Sequence, residues 1–307
     1  MRTGRCTTSR RQCGSTLARL LCIGLGLYPL LAQTEPLQAP PDPSVVRLRT
    51  VSILAGSALA IGVYGQRKWW GDGFESRMSS EREGYFGQRT YSGGADKLGH
   101  FFMNYAGTRL MSKAFVWAGN DPDTALALAA WSTLGIFTAV EVLDGFSKQW
   151  HFSKEDALIN AAGTGAALLL ERNAALDRLF DIRLLYVPSR ENGRQFSPFG
   201  DYSGQTYLLV TKASGIDALR SHPVLRYLEV AVGYNARGYT GEAGKLVRAG
   251  TRGVHLGVSL NVAELLGQTV FRHPDAHRRA QAFSNTALEY VQIPGTAATA
   301  RHQLGTH

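Results

Sequence analysis

Three residues in "ADKLGHFFMNYAG", Asp96, His100 and Asn104, stand four apart and so share one stripe of a helix. Lys97 sits beside them. A second apolar segment, "FTAVEVLDGF", carries Glu141 and Asp144 three apart, facing one way. A third, opening "SKEDALINAAG", repeats the four-residue spacing with Asp156 and Asn160. Burying an unpaired carboxylate among Ala, Leu, Gly and Phe is costly, so the three stripes are expected to meet. Lys97 or Arg109 is the countercharge within reach.

Such a cluster suits three chemistries. A histidine among carboxylates on facing helices is a donor set for a divalent metal, here His100, Glu141, Asp144 and Asp156. The wider set of Asp96, Lys97, His100, Glu141, Asp144, Asp156 and Asn160 could equally act as general acid and base, with His100 oriented by a carboxylate. The third reading is a polar network that sets helix register, with Asp96 and Asp156 serving as partners of helix N-termini. Apart from that metal, no cofactor is evident. There is no G-x-S-x-G nucleophile, and "GTGAALLLE" lies inside a helical run, where it forms no phosphate loop. His151, His222, His255 and His273 stand alone.

The elements that must position these residues follow from periodicity. Helices are expected from about Asp96 to Ala118, from Thr124 to Phe146, and from Ser153 onward. "GNDPD" ends the first and caps the second, and "SKED" opens the third in a form close to a capping box. An earlier helix, about 45–64, has only a short uninterrupted apolar run, which is short for a membrane span and long enough to pack on the others. Gly107, Gly135, Gly163 and Gly165 allow close helix approach. After about residue 180 the period changes to alternation in "DIRLLYVPS", "QTYLLVTKA", "RYLEVAVGYNARGY" and "RGVHLGVSLNV", four strands of an antiparallel sheet. "HRRAQAFSNTALEYVQ" is a last amphipathic helix. The expected fold is α+β: a four-helix, Gly/Ala-rich bundle with a small antiparallel sheet from the C-terminal third, packed on the helices. The bundle occupies 45–180, the β-rich region with its final helix 181–292, and a disordered tail 293–307.

Charge and composition narrow the function classes. The chain of 307 residues carries a formal +9, but Arg2, Arg5, Arg10, Arg11 and Arg19 lie in the first 32 residues, which contain no Asp or Glu. Without them the charge is +4, and no basic run with interleaved aromatics remains, which argues against nucleic acid. The Arg-rich start leads into "LARLLCIGLGLYPLLAQ", so residues 1–33 read as a signal peptide and the Pro-rich 34–44 as a linker. Cys6, Cys13 and Cys22 all fall in that leader, leaving an exported chain without thiols. Cys22 has no small residue before it, which argues against a lipid anchor there. The partners expected are a membrane surface or envelope components; no protein partner can be named.

Taken together, "ADKLGHFFMNYAG" and "FTAVEVLDGFSKQWHFSKEDALINAAGTGAA" resemble the YfiM-like family of predicted periplasmic or lipid-anchored proteins. The pattern is Asp96-Lys97-x-x-His100-Phe101, Glu141-x-x-Asp144 and Ser153-x-x-Asp156 before Gly163. "DYSGQTYLL" and "VAVGYNARGY" extend the likeness to about residues 90–265. A fainter similarity runs to the VanZ-like membrane proteins, which combine Asp-Lys-x-x-His with later Glu, Asp and Asn. The resemblance implies a periplasmic location and a site, and no reaction. Two function classes follow: an envelope scaffold or binding protein, or a hydrolase or transferase acting on envelope lipid or glycan through the cluster.

Overall fold

The computed structural model describes residues 42–87, 90–239, 250–272 and 274–304. The expected signal peptide and most of the expected linker lie outside the described residues. Pro43 and Ser44, read as linker, already belong to the first helix, α1 (Pro43–Lys68). Asp42 caps it by accepting from the Ser44 backbone N–H at 2.7 Å, and Pro43 fits the first turn because it has no N–H to satisfy.

Three further helices carry the polar stripes. Gly93 and Gly94, both at positive φ, turn the chain into α2 (Ala95–Ala118), and Gly119 ends it in the left-handed conformation. Asp121 caps α3 (Pro122–Phe146), and Ser153 caps α4 (Lys154–Arg172) by accepting from the Asp156 N–H. Side-chain caps therefore set the starts of α3 and α4, as the capping signals predict, whereas α2 starts at Gly94 without a side-chain cap. α2, α3 and α4 pack on one another, whereas α1 lies against α2 and α3 along a single stripe. In that stripe Ile53 meets the core of Met111, Phe115, Ala125 and Ala129, and Asn120 donates to Thr50 Oγ1 at 2.8 Å. The rest of α1 is uncovered; Leu59 is 69% exposed. The expected bundle of four is thus three mutually packed helices with a fourth flanking them.

A two-residue parallel pair, β1 (Ser80–Glu81) and β2 (Phe152–Ser153), ties the loop after α1 to the start of α4. The short helix α5 (Ala174–Leu179) leads into β3 (Phe180–Tyr186), followed by β4 (Gln205–Lys212), the single turn α6 (Asp217–Arg220), β5 (Leu228–Arg237) and β6 (Thr251–Leu260). Then come α7 (Val262–Gln268), α8 (Pro274–Tyr290) and β7 (Ala297–Leu304). The five strands form one antiparallel sheet in the order β3-β4-β5-β6-β7. All four expected strands are present. The fifth corrects the expectation of a disordered tail: "AATARHQL" has little apolar content of its own, but β6 offers it a free edge to pair with.

The sheet meets the helices through its β3–β4 side, where Leu184 and Tyr207 join Phe102, Tyr105, Ala106, Ala167, Leu170 and Tyr290 in the main core. Its β5–β6 half is arranged differently from an ordinary half-buried sheet. Val230, Val232, Leu256 and Val258 face outward, while the opposite face buries Glu229 and Ser259. On that inner face the Arg183 guanidinium forks onto Glu229 at 2.8 Å through each terminal nitrogen and also reaches Asp181, an ionic network beside the small apolar cluster of Leu208, Val210 and Ala231.

Candidate functional site

The site forms where the start of α2, the start of α4 and the last turns of α3 come together. Lys97 is its centre of charge. Its side chain is buried, and its ammonium donates to Asp156 Oδ2 at 2.8 Å, to Asp96 Oδ2 at 3.1 Å and to Glu83. Arg109, the other countercharge considered, takes no part. It points to the opposite end of α2 and pairs with Glu171, Asp177 and Glu289.

Lys97 occupies the δ2 oxygens of both aspartates, which leaves both δ1 oxygens turned toward His100. His100 Nε2 lies 3.6 Å from Asp96 Oδ1 and 4.0 Å from Asp156 Oδ1. On its other side, Nδ1 faces two acceptors, Asn160 Oδ1 at 3.1 Å and Glu141 Oε1 at 3.3 Å. An imidazole between acceptors on both sides keeps its proton, and it is Nδ1–H, with its closer partners, that fixes the ring. Nε2 is then the nitrogen that could release its proton to solvent and offer its lone pair to a metal, an arrangement typical of metal-binding histidines. Asn104 steadies the assembly by donating to Asn160 Oδ1 at 2.6 Å. Tyr202, arriving from the loop before β4, donates to Asp96 Oδ1 at 3.0 Å.

The electrostatics follow from crowding. Four carboxylates, from Glu83, Asp96, Glu141 and Asp156, surround two cations. Burial would lower the His100 pKa, but Asp156, Asp96 and Glu141 override it and raise it to about 9. Burial would raise Asp96, yet Lys97 and His100 hold it at about 2. Glu83 is pushed up to about 8 by burial and by Asp96, against the pull of Lys97. Two carboxylate oxygens of the site, Glu141 Oε1 and Asp156 Oδ1, are buried without a hydrogen-bond partner. Asp156 Oδ1 lies on the Nε2 side of His100 with Asp96 Oδ1, and one ligand atom from each of Asp96, His100 and Asp156 lies within 4.8 Å of the others.

The gap between these three residues lies on a cavity of about 140 Å³. Its floor is polar, with Asp96, His100, Glu141 and Asp156. Its walls are apolar and aromatic, with Phe137 and Val140 from α3, Trp150 and Tyr207 from the far side, and Ile61 and Tyr64 from α1.

Six of the seven residues picked out by spacing therefore converge: Asp96, Lys97, His100, Glu141, Asp156 and Asn160. The expected donor set of His100, Glu141, Asp144 and Asp156 differs from the group that gathers, Asp96, His100 and Asp156: Glu141 faces Nδ1 on the other side of the ring, and Asp144 is turned elsewhere. It shares the cavity, but its carboxylate accepts from Trp70 Nε1 at 2.6 Å and is not within ion-pairing reach of His100. Spacing alone missed Glu83, Tyr202 and Trp70, which arrive from loops. Only Tyr202 left a trace, in the "DYSGQ" stretch.

One close approach holds the two ligand-bearing helices together. A Cβ at Gly163 of α4 would collide with the Phe101 carbonyl oxygen of α2 and sit 3.1 Å from Asn104 Cβ. Only glycine allows this crossing.

Residues 82–172 match the family described as predicted periplasmic lipoprotein (DUF2279). That segment carries the YfiM-like pattern. It runs from the Glu83 loop to the end of α4 and contains the named site residues except Trp70 and Tyr202. The description agrees with the periplasmic location expected from the leader. The likeness to VanZ-like proteins rests on motif alone. No curated protein and no solved structure matches the chain.

Proposed function

We propose that this is a metal-dependent hydrolase of the periplasmic side of the envelope, with Asp96, His100 and Asp156 as ligands of one divalent cation. The observation that carries the reading is the convergence of Asp96 Oδ1, His100 Nε2 and Asp156 Oδ1. Their separations are too long for good hydrogen bonds and near those of donors around a shared ion. Two supports add to it: the stranded Asp156 oxygen and the second-sphere contacts that orient Nδ1. Three protein ligands at the floor of a cavity leave positions for water and substrate, the usual form of a catalytic metal site. A bound cation would lower the pKa of such a water, and Glu141, beside His100, is the nearest further carboxylate for proton transfer.

Lys97 supports a second reading. By joining the Glu83 loop, α2 and α4, it could serve only to set helix register in a scaffold protein. Metal analysis separates the two. After chelation and equilibrium dialysis against Mn²⁺ or Zn²⁺, the full chain should retain about one ion, and His100→Ala or Asp156→Asn should lose it. Wild-type protein that leaves dialysis without metal while remaining folded would rule out the hydrolase and leave the scaffold.

A further inference from the structure

The residues of α1 that meet the bundle form one narrow stripe. The remaining face, Val45, Leu48, Val51, Leu54, Leu59 and Val63, is apolar and exposed. From Thr50 to Gln66 the helix carries no charge at all, about 25 Å at 1.5 Å per residue. Arg47 and Arg49 precede this run and Arg67 and Lys68 follow it, all exposed. α3 repeats the pattern independently. Thr124 to Val140 is uncharged, and its outward face shows Leu128, Val142, Leu143 and Trp131, the last 76% exposed. α1 packs against α3 as well as α2, which makes the two apolar helices neighbours in one flank of the molecule.

A protein partner usually finds an apolar centre with a polar, hydrogen-bonding rim. Between their ends the two helices expose few hydrogen-bonding side chains; both ends of α1 carry basic residues, and the start of α3 carries Asp121 and Asp123. Hydrocarbon suits the uncharged stretch, and anionic headgroups suit the ends of α1. The cavity gives the flank a purpose. Ala60, Ile61 and Tyr64, from the same helix, form the wall that faces the Asp96–His100–Asp156 floor.

We propose that the outer faces of α1 and α3 rest in the hydrocarbon of an envelope membrane. The substrate is then an amphiphile of that membrane, with its polar head at the Asp96–His100–Asp156 floor and its apolar tail against α1. The head-group half of this statement rests on the metal reading above, and the membrane half does not.

The test uses the full chain with vesicles of three parts phosphatidylethanolamine to one part phosphatidylglycerol. Wild-type protein should float with the vesicles in a density gradient. The Leu48→Ser/Leu59→Ser/Val63→Ser variant, altered only at exposed positions, should keep its circular dichroism spectrum and bind about tenfold more weakly or less. Vesicles with brominated acyl chains should quench fluorescence from Trp131, read as the part lost in Trp131→Phe. Ala60→Trp, which fills the cavity wall, should still float but no longer retain lipid in native mass spectrometry. Asp156→Asn should float like wild type, so a failed metal site leaves the membrane result standing. Wild-type protein that stays at the bottom of the gradient overturns the proposal. So does a stable dimer in lipid-free buffer that the triple serine variant splits, since the flank would then belong to a second copy. Equal lipid retention by Ala60→Trp and wild type would overturn the placement of the tail.

Discussion

Replacing Lys97 by Met tests whether the cluster is an ionic unit. The residue is 2% exposed, and its ammonium is the shared donor to Asp96, Asp156 and Glu83. Methionine fills a similar volume but leaves these carboxylates without their cation. Removing one partner from a buried ion pair costs about 3–5 kcal/mol, because the other charge stays buried and uncompensated. For a chain of this size roughly 2–4 °C of melting temperature accompany each kcal/mol, so a fall of about 6–20 °C is expected. The metal reading adds a second requirement. With Lys97 gone, His100 is the one cation left beside Asp96 and Asp156, and a divalent ion that displaces its Nε2 proton would bring two charges in place of one. Ligand linkage gives about 2.7 kcal/mol at roughly 100 times the Kd. Calorimetric scans of wild type and Lys97→Met, each with chelator and with Mn²⁺, should show the larger metal-induced rise in the variant. A variant melting within about 2 °C of wild type without metal would refute the ionic argument. A large fall that no divalent ion reverses would refute the metal site and keep the network.

Three further outcomes follow from contacts elsewhere. Asp144→Asn should bind metal with wild-type stoichiometry by plasma mass spectrometry, since Asp144 serves Trp70; a loss would restore it to the ligand set. Burial would raise the Glu289 carboxyl, but Lys113 and Arg109, both at 2.7 Å, hold it below its ordinary 4.5. Its stabilisation is therefore present above about pH 4.5 and lost as pH falls through the folded value, so melting curves of wild type and Glu289→Gln should converge on acidification. A gap independent of pH would contradict this. Arg183→Met should cost about 3–5 kcal/mol in urea denaturation, whereas Arg183→Met/Glu229→Leu should cost less than the single change because no stranded carboxylate remains at 229. Equal losses would show that Glu229 is not the group left stranded.

Much of the helical half was legible because its signals are local. Asp121 and Ser153 cap the helices that their spacing announced, and the four-residue repeat of Asp96, His100 and Asn104 survives as a shared stripe. Partner choice was less legible. Glu141 and Asp144 stand one turn apart, yet a side chain's reach sends one to His100 and the other to Trp70, a residue of a distant loop. Glu83 comes from a Gly/Ser-rich segment with no periodicity to mark it. The buried face of the sheet was not legible for a related reason. Alternation shows that a strand has two kinds of face, but not which is buried, and in β5 and β6 the Arg183 network claims the inner side. The last strand, β7, is specified by the edge of β6 more than by its own composition.

The contact at Gly163 has a consequence for which ion the site would select. Two donors ride on α2 and one on α4, so the width of the gap is set by how near these two rods pass, and they touch where the Phe101 carbonyl meets a residue with no side chain. That contact behaves as a fulcrum beside the ligands. Any substituent there would spread the rods and open the jaws between His100 and Asp156, favouring ions of larger radius. A single backbone contact outside the coordination sphere would thus act as the calliper of the site.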